Sequence, residues 1–194
     1  MATLIVTANP EPASLTRAVA DRLADALPEG SAEIADLTAE GFDPRWTTAD
    51  RHAYLVAGDY PDDVAAEMAR VDRNDHIVLV FPVYWWSMPG LLKGWIDRVF
   101  TNGWAYGVGD GVGIRPGLGR VTMHLIPIAG SDAALYARRG YDRSFETQIT
   151  AGIIDYCGMT RGATAFLYES EEQGTDVPAA IDAVVAEVAA AISA

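Results

Sequence analysis

Cysteine is almost absent. Cys157 stands alone among 194 residues, which excludes an intramolecular disulfide. The three histidines, His52, His76 and His124, are dispersed and add no zinc-type ligand set, so no metal is expected. Each histidine is assigned to the surface or to a strand end. Long apolar runs are missing too: half of the residues are hydrophobic, yet no run approaches the roughly 20 residues of a membrane span. That hydrophobicity is assigned to a core. Positive charge is scarce, with 14 Lys and Arg against 27 Asp and Glu and a net charge of -13. The basic residues are scattered, which argues against a nucleic-acid partner. An anionic ligand would have to be held by local backbone dipoles. The opening Met1 to Thr7 has neither the basic start nor the apolar length of a signal peptide, and a cytoplasmic location is expected.

What is present is an alternating pattern. Short β-branched runs recur at Leu4–Thr7, Ala32–Leu37, His76–Phe81, Val121–Ile126 and Ala163–Tyr168, with helical periodicity between them. Runs apolar at every position, such as Ile77 to Phe81, suit parallel strands covered on both faces. Leu15, Val19, Leu23 and Leu27 form one helical stripe, and Ile181, Val184, Val185, Val188 and Ile192 another. Ser14 is placed as an N-cap, and Pro89 and Pro178 in first helical turns. With no linker or repeat, residues 1–194 are expected to form one α/β domain. Its five-stranded, doubly wound parallel sheet has order 2-1-3-4-5, with ligands at the carboxyl ends of strands one and three.

Two loops fall at that switch point. Asn9 to Thr16 runs from strand one into a helix, where free backbone N–H groups and the Ser14 and Thr16 hydroxyls suit a phosphate. Ordinary capping by Ser14 explains the same residues equally well. After strand three, Pro82-Val83-Tyr84-Trp85-Trp86-Ser87 puts three large aromatics in a turn. Such residues pack on something flat, either a partner subunit or a planar ligand. Beside a phosphate site, a flavin explains both loops together.

The run Phe81 to Phe100, followed by Gly103-Trp104-Ala105-Tyr106, resembles the signature of NAD(P)H quinone dehydrogenases, flavodoxin-like flavoproteins. Asn9 to Ser14 is similar to that family's first flavin loop, and Phe42-Asp43-Pro44 has a counterpart after strand two. The resemblance implies that Asn9, Ser14, Leu15 and Thr16 hold flavin phosphate and ribityl groups, and that Pro82, Val83, Tyr84, Trp85 and Trp86 lie along the ring. It implies FMN, with FAD as the alternative, NAD(P)H as electron donor, and two-electron ping-pong transfer to a quinone-like acceptor. It also implies a homodimer in which Trp104 and Tyr106 complete the neighbour's acceptor pocket. Azo- or nitro-reduction is the alternative activity. A non-catalytic flavoprotein docked on a membrane transporter is the alternative role.

Departures from the family pattern mark the third wall of the site. Pro127 to Ser131 replaces a threonine- and glycine-rich turn, leaving Ala129 and Gly130 as the small residues that let a cofactor approach. Tyr136 matches a family tyrosine and is the candidate catalytic residue, with Arg138 or Arg139 as further donors. Asp142 stands where the family has a histidine. The glycine-rich stretch Gly107 to Gly119 lacks the context of a dinucleotide motif and is expected as a mobile rim beside the acceptor pocket. Asp62 and Asp63 complement a helix start, Glu169, Glu171 and Glu172 form a solvated loop, and Cys157 before Gly158 is expected at a buried helix end.

Overall fold

Strands without a polar face must be covered on both sides, and in the computed structural model, which describes residues 1–108 and 113–194, they are. Strands β1 (Thr3–Thr7), β2 (Ala32–Asp36) and β3 (His76–Pro82) come first. A small antiparallel hairpin, β4 (Tyr106–Val108) with β5 (Ile114–Pro116), precedes β6 (Thr122–Ile128) and β7 (Thr160–Thr164). The main sheet has order β2-β1-β3-β6-β7 with every pairing parallel. Once the hairpin strands are set aside, this is the expected 2-1-3-4-5. Residues 109–112, at the centre of the glycine-rich stretch expected as a mobile rim, lie outside the described residues.

Side chains alternate along each strand, so β3 sends Ile77, Leu79 and Phe81 to one face and Val78 and Val80 to the other. Helices α1 (Leu15–Ala26) and α7 (Val177–Ser193) cover the second face, through Val19, Leu23, Val184 and Val188. The first face is covered by α3 (Asp62–Asp72), α4 (Gly90–Val99) and the helix over residues 141–155. Short helices α2 (Thr48–Leu55) and α5 (Ala133–Arg139) flank the sheet. Among the described residues no helix is long and apolar enough to cross a membrane.

The helix over 141–155 starts as α6 (Tyr141–Phe145) and continues as a π-helical segment, Glu146–Asp155. Its buried positions are Phe145, Ile149, Thr150 and Ile154. Their interval exceeds the ~3.6 residues of an α-helical turn, and the wider i→i+5 turn keeps all of them on the core. Gly158, with φ of 74°, ends the helix beside buried Cys157.

Two expectations are corrected. The fifth strand, expected over Ala163–Tyr168, is regular only over Thr160–Thr164, with a register shift opposite Met123 to Leu125. The cause is His124, whose Nδ1 accepts the Ala163 N–H at 3.0 Å in place of a backbone carbonyl. Backbone bonding then resumes from Ala165 N–H to the Leu125 carbonyl and from Leu167 N–H to the Pro127 carbonyl, each at 2.9 Å. The histidines are also not all dispersed. His124 lies inside β6 with no exposed surface, and its Nε2 is 3.0 Å from Nδ1 of His76. The β3–β6 register pairs His76 with Thr122 and Val78 with His124, which puts the two rings diagonally on one face.

The loop after β2 is fastened to α4. A Cβ on Gly94 would stand 2.4 Å from both Cβ and the carbonyl oxygen of Pro44, so glycine is needed for this close approach. Arg98, one helical turn further, donates to the Asp43 carbonyl, to buried Asp50 and to Asp63. Phe42 lies under the guanidinium, 5.4 Å from ring centre to Cζ. Much of the family-like run after the aromatic turn therefore serves packing.

Candidate functional site

Loops following β1, β3 and β6 meet at the carboxyl edge of the sheet, where the strand order reverses. In the first loop Ser14 caps α1, its Oγ accepting the Arg17 N–H at 3.2 Å. Capping leaves the hydroxyl proton free to donate, and the N–H groups of Leu15 and Thr16, in the first helical turn, have no carbonyl a turn behind them. Asn9 shapes the approach. Its Oδ1 accepts the Glu11 N–H at 2.9 Å, and its Nδ2 donates to Thr16 Oγ1 at 3.1 Å. Because Thr16 Oγ1 accepts there, its own proton remains available. Arg17 points to Asp21 at 2.8 Å and Asp36 at 3.7 Å, so the dipole and hydroxyls supply this loop's positive character.

The aromatic turn is a tight reversal closed by two backbone bonds, Tyr84 N–H to the Ser87 carbonyl at 3.0 Å and Ser87 N–H to the Tyr84 carbonyl at 3.1 Å. Its central residues, Trp85 and Trp86, have φ of 51° and 60°. Glycine or asparagine is the usual occupant of such positions, and a bulky residue costs about 1–3 kcal/mol there. Neither tryptophan N–H has a protein acceptor among the described residues. Trp85 is 86% exposed and Tyr84 48%, so the site carries a bare aromatic surface beside free amides. Pro82 and Val83 lie half-buried beneath them, and Val83 N–H donates to the Ile128 carbonyl at 2.8 Å, anchoring the turn to β6.

At the third wall, Ala129 is buried and both its backbone groups are used, its N–H by the Leu167 carbonyl and its carbonyl by the Ser170 N–H. Ala129 therefore offers only smallness. Gly130 is exposed, and a Cβ there would make ordinary contact with Glu171 at 3.6 Å. Tyr136, 4% exposed, sits edge-on among Tyr141, Phe166 and Tyr168. Burial, then Tyr168, raises its phenol above the ordinary value, which keeps it a proton donor at neutral pH. Burial also raises Tyr168, with a further push from the Asp142 carboxylate. Arg138 and Arg139 are exposed in the last turn of α5. Tyr141, stacked on Trp86 at 4.0 Å, Tyr168 and Gln148 were not singled out from the sequence. The one signal for Tyr168 was its place at the end of the last apolar run.

Trp104 and Tyr106 do not join these loops in the same chain. Helix α4 starts at the aromatic turn and runs toward the amino edge of the sheet. Beyond its end, Trp104 Nε1 donates to Asp72, the last residue of α3, at 3.4 Å. Tyr106 meets Tyr156 edge-on at 5.1 Å, and burial pushes its phenol up to about 12. It helps line a groove of about 610 Å³ between α2, α4 and the π-helical segment. Trp46, Tyr54 and Tyr156 stand exposed along that groove.

Sheet order, switch-point loops and exposed aromatic turn define a flavodoxin-like α/β protein. The family model described as flavodoxin-like fold matches residues 1–192. An uncharacterised NAD(P)H oxidoreductase of Haemophilus influenzae is 31% identical over 164 residues, covering 80% of this chain and 78% of that protein. Ribosyldihydronicotinamide dehydrogenase (quinone) of Pongo abelii is 28% identical over 178 residues, 80% of this chain and 76% of its own. The solved structure of general stress protein 14 from Treponema denticola, in complex with FMN, superimposes with a TM-score of 0.68 at 26% identity. It covers 98% of this chain and 99% of that one. The chain belongs to this flavodoxin-like family of NAD(P)H oxidoreductases.

Proposed function

We propose that the protein is an FMN-dependent NAD(P)H oxidoreductase that passes two electrons to a quinone-like acceptor, within a single domain. The observation that carries this is the aromatic turn: free amides of Trp85 and Trp86 beside a bare aromatic surface, next to the free N-terminus of α1. These residues fit a flavin, which needs donors for its phosphate, donors for its ring heteroatoms and a flat apolar support. The relative solved with FMN and the dehydrogenase named for quinone support the cofactor and the acceptor class.

In this reading Ser14, Leu15, Thr16 and Asn9 hold the phosphate and ribityl chain. Pro82 to Trp86 support the ring, and Ala129 and Gly130 leave room for it. A flavin held by these residues would supply two-electron chemistry, with NAD(P)H as hydride donor and the quinone-like compound as acceptor. The protein aligns both reactants on one face and keeps water from it. Tyr136, its phenol protonated, supplies a donor toward charge that develops at the site. The acceptor side is completed by a second copy seated on the 610 Å³ groove. Trp104 and Tyr106, which follow the far end of α4, then serve the partner's site.

Anaerobic addition of NADH, then NADPH, to FMN-loaded protein is expected to bleach the flavin absorbance, and a quinone to restore it. Protein that gains neither colour nor thermal stability with FMN or FAD would sink the reading. Trp85→Ala is expected to leave the fold intact, because the side chain is exposed. It should weaken FMN binding roughly tenfold to hundredfold, the equivalent of one aromatic face. Wild-type affinity in a titration would reduce the turn to a packing feature.

A further inference from the structure

Trp85 and Trp86 hold positive φ without the glycine that such a turn normally requires. The two backbone bonds between Tyr84 and Ser87 close the turn but do not choose its hand. A strained conformation of bulky residues persists only where surrounding groups enforce it. Two side chains reach this turn from a single helix. Tyr141 lays its ring on Trp86, with centroids 4.0 Å apart and planes at 27°. Gln148 Oε1 accepts the Ser87 hydroxyl proton. Their separation of seven residues is about two helical turns, so both project from the same side of the helix. Phe145, between them, and Ile149, the residue after Gln148, are buried, and Phe145 stacks parallel to Phe81 of β3. Phe145, four residues after Tyr141 and three before Gln148, shares their side of the helix, so the same stripe that seats the helix in the core carries both contacts to the turn.

We propose that Tyr141 and Gln148 are positioning residues, a two-point strut that holds the Trp85–Trp86 turn in its left-handed form and keeps its free amides facing the site. Neither side chain need touch the cofactor. Gln148 acts through Ser87, and Tyr141 acts through Trp86. Loss of either releases the turn toward an ordinary right-handed form, in which the same amides point elsewhere. Affinity for a flavin would then fall although every residue of the turn is unchanged.

The affinity arm of the test rests on the flavin reading proposed above, so apoprotein is measured first. In apoprotein, amide hydrogen exchange at Tyr84 and Ser87 is expected to quicken roughly tenfold in Gln148→Ala and in Tyr141→Ala. Gln148→Glu, which retains an acceptor, and Tyr141→Phe, which retains the stacked ring, should stay within about twofold of wild type. FMN titration should then show binding weakened roughly tenfold in both alanine variants and little changed in Tyr141→Phe. Gln148 is exposed, so its alanine variant keeps the test alive should Tyr141→Ala fail to fold. Unaltered exchange in the alanine variants overturns the strut. So does FMN affinity within twofold of a wild type that binds it. A wild type that binds no flavin refutes the flavin reading alone, and the exchange measurements still decide the strut.

Discussion

Arg98→Met is expected to lower the unfolding free energy by about 3–5 kcal/mol, the usual consequence of leaving one partner of a buried ion pair without the other. The side chains of Arg98 and Asp50 are 5% and 2% exposed, and Nε donates to Asp50 Oδ1 at 2.9 Å. Burial alone would push the Asp50 carboxyl up. Hydrogen bonds from the Thr47 hydroxyl and amide and from Arg98 outweigh it and hold the group below its ordinary value. Removing the guanidinium strands a charge that Thr47 only partly satisfies. Asp63, the second partner, is 51% exposed, and Asp63→Ala should cost under about 1 kcal/mol because water replaces the pair. Adding Asp50→Asn to Arg98→Met should recover part of the loss, since no charge is then buried. Urea unfolding with unchanged m-value reads all three variants. An Arg98→Met midpoint equal to wild type would show that the arginine is not what fastens this loop. Function is coupled to this cost, because the same clamp sets the loop and α2, whose Trp46, Arg51 and Tyr54 line the groove proposed for a second copy.

The sheet was legible because its evidence is local. A run such as Ile77 to Phe81 has no face that water could wet, and right-handed crossovers leave few orders for five such strands. The two switch-point loops were legible for the same reason: three aromatics at consecutive positions outside a strand or helix need something flat to cover them. Side-chain partners far apart in the chain were not legible. Arg98 and Asp50 are 48 residues apart, as are His76 and His124, while Ser87 and Gln148 are 61 apart. Each pair exists only once register and helix placement are set. Nothing local marks Trp85 and Trp86 as left-handed either, since composition argues for glycine there. The fifth strand was displaced for a related reason, because an imidazole, not a backbone group, takes the Ala163 N–H.

That imidazole leads to a pH dependence. Ala163 N–H donates to His124 Nδ1, so the His124 proton sits on Nε2 and is donated to His76 Nδ1. The remaining His76 proton, on Nε2, faces Met1 Sδ at 3.4 Å. Both rings are neutral in this chain of donors. A proton added to His124 Nδ1 would oppose the Ala163 N–H, and retreat is blocked because the ring already fills the space where a Gly162 Cβ would stand, 2.4 Å from Nδ1. Burial, reinforced by His76, pushes His124 down to about 4. His76 is lowered by burial and by the chain-terminal ammonium, against an upward pull from the Asp75 carboxylate. Unfolding releases His124 to its ordinary value of about 6.5, so the unfolded chain binds more protons than the folded one between pH 6.5 and 4. The contribution is therefore complete above pH 6.5 and is lost as pH falls through that window, by about 3 kcal/mol for a shift of this size. Carboxylates held low by hydrogen bonding, such as Asp43 at about 2 beside Arg45, titrate below the window. Urea unfolding at pH 7.5, 6.5, 5.5 and 4.5 should show this fall. His124→Leu should flatten it, even though the variant is less stable throughout for want of an acceptor for Ala163. A wild-type profile flat from pH 7 to 4.5, or a variant as steep as wild type, would show that the paired imidazoles are not what titrates.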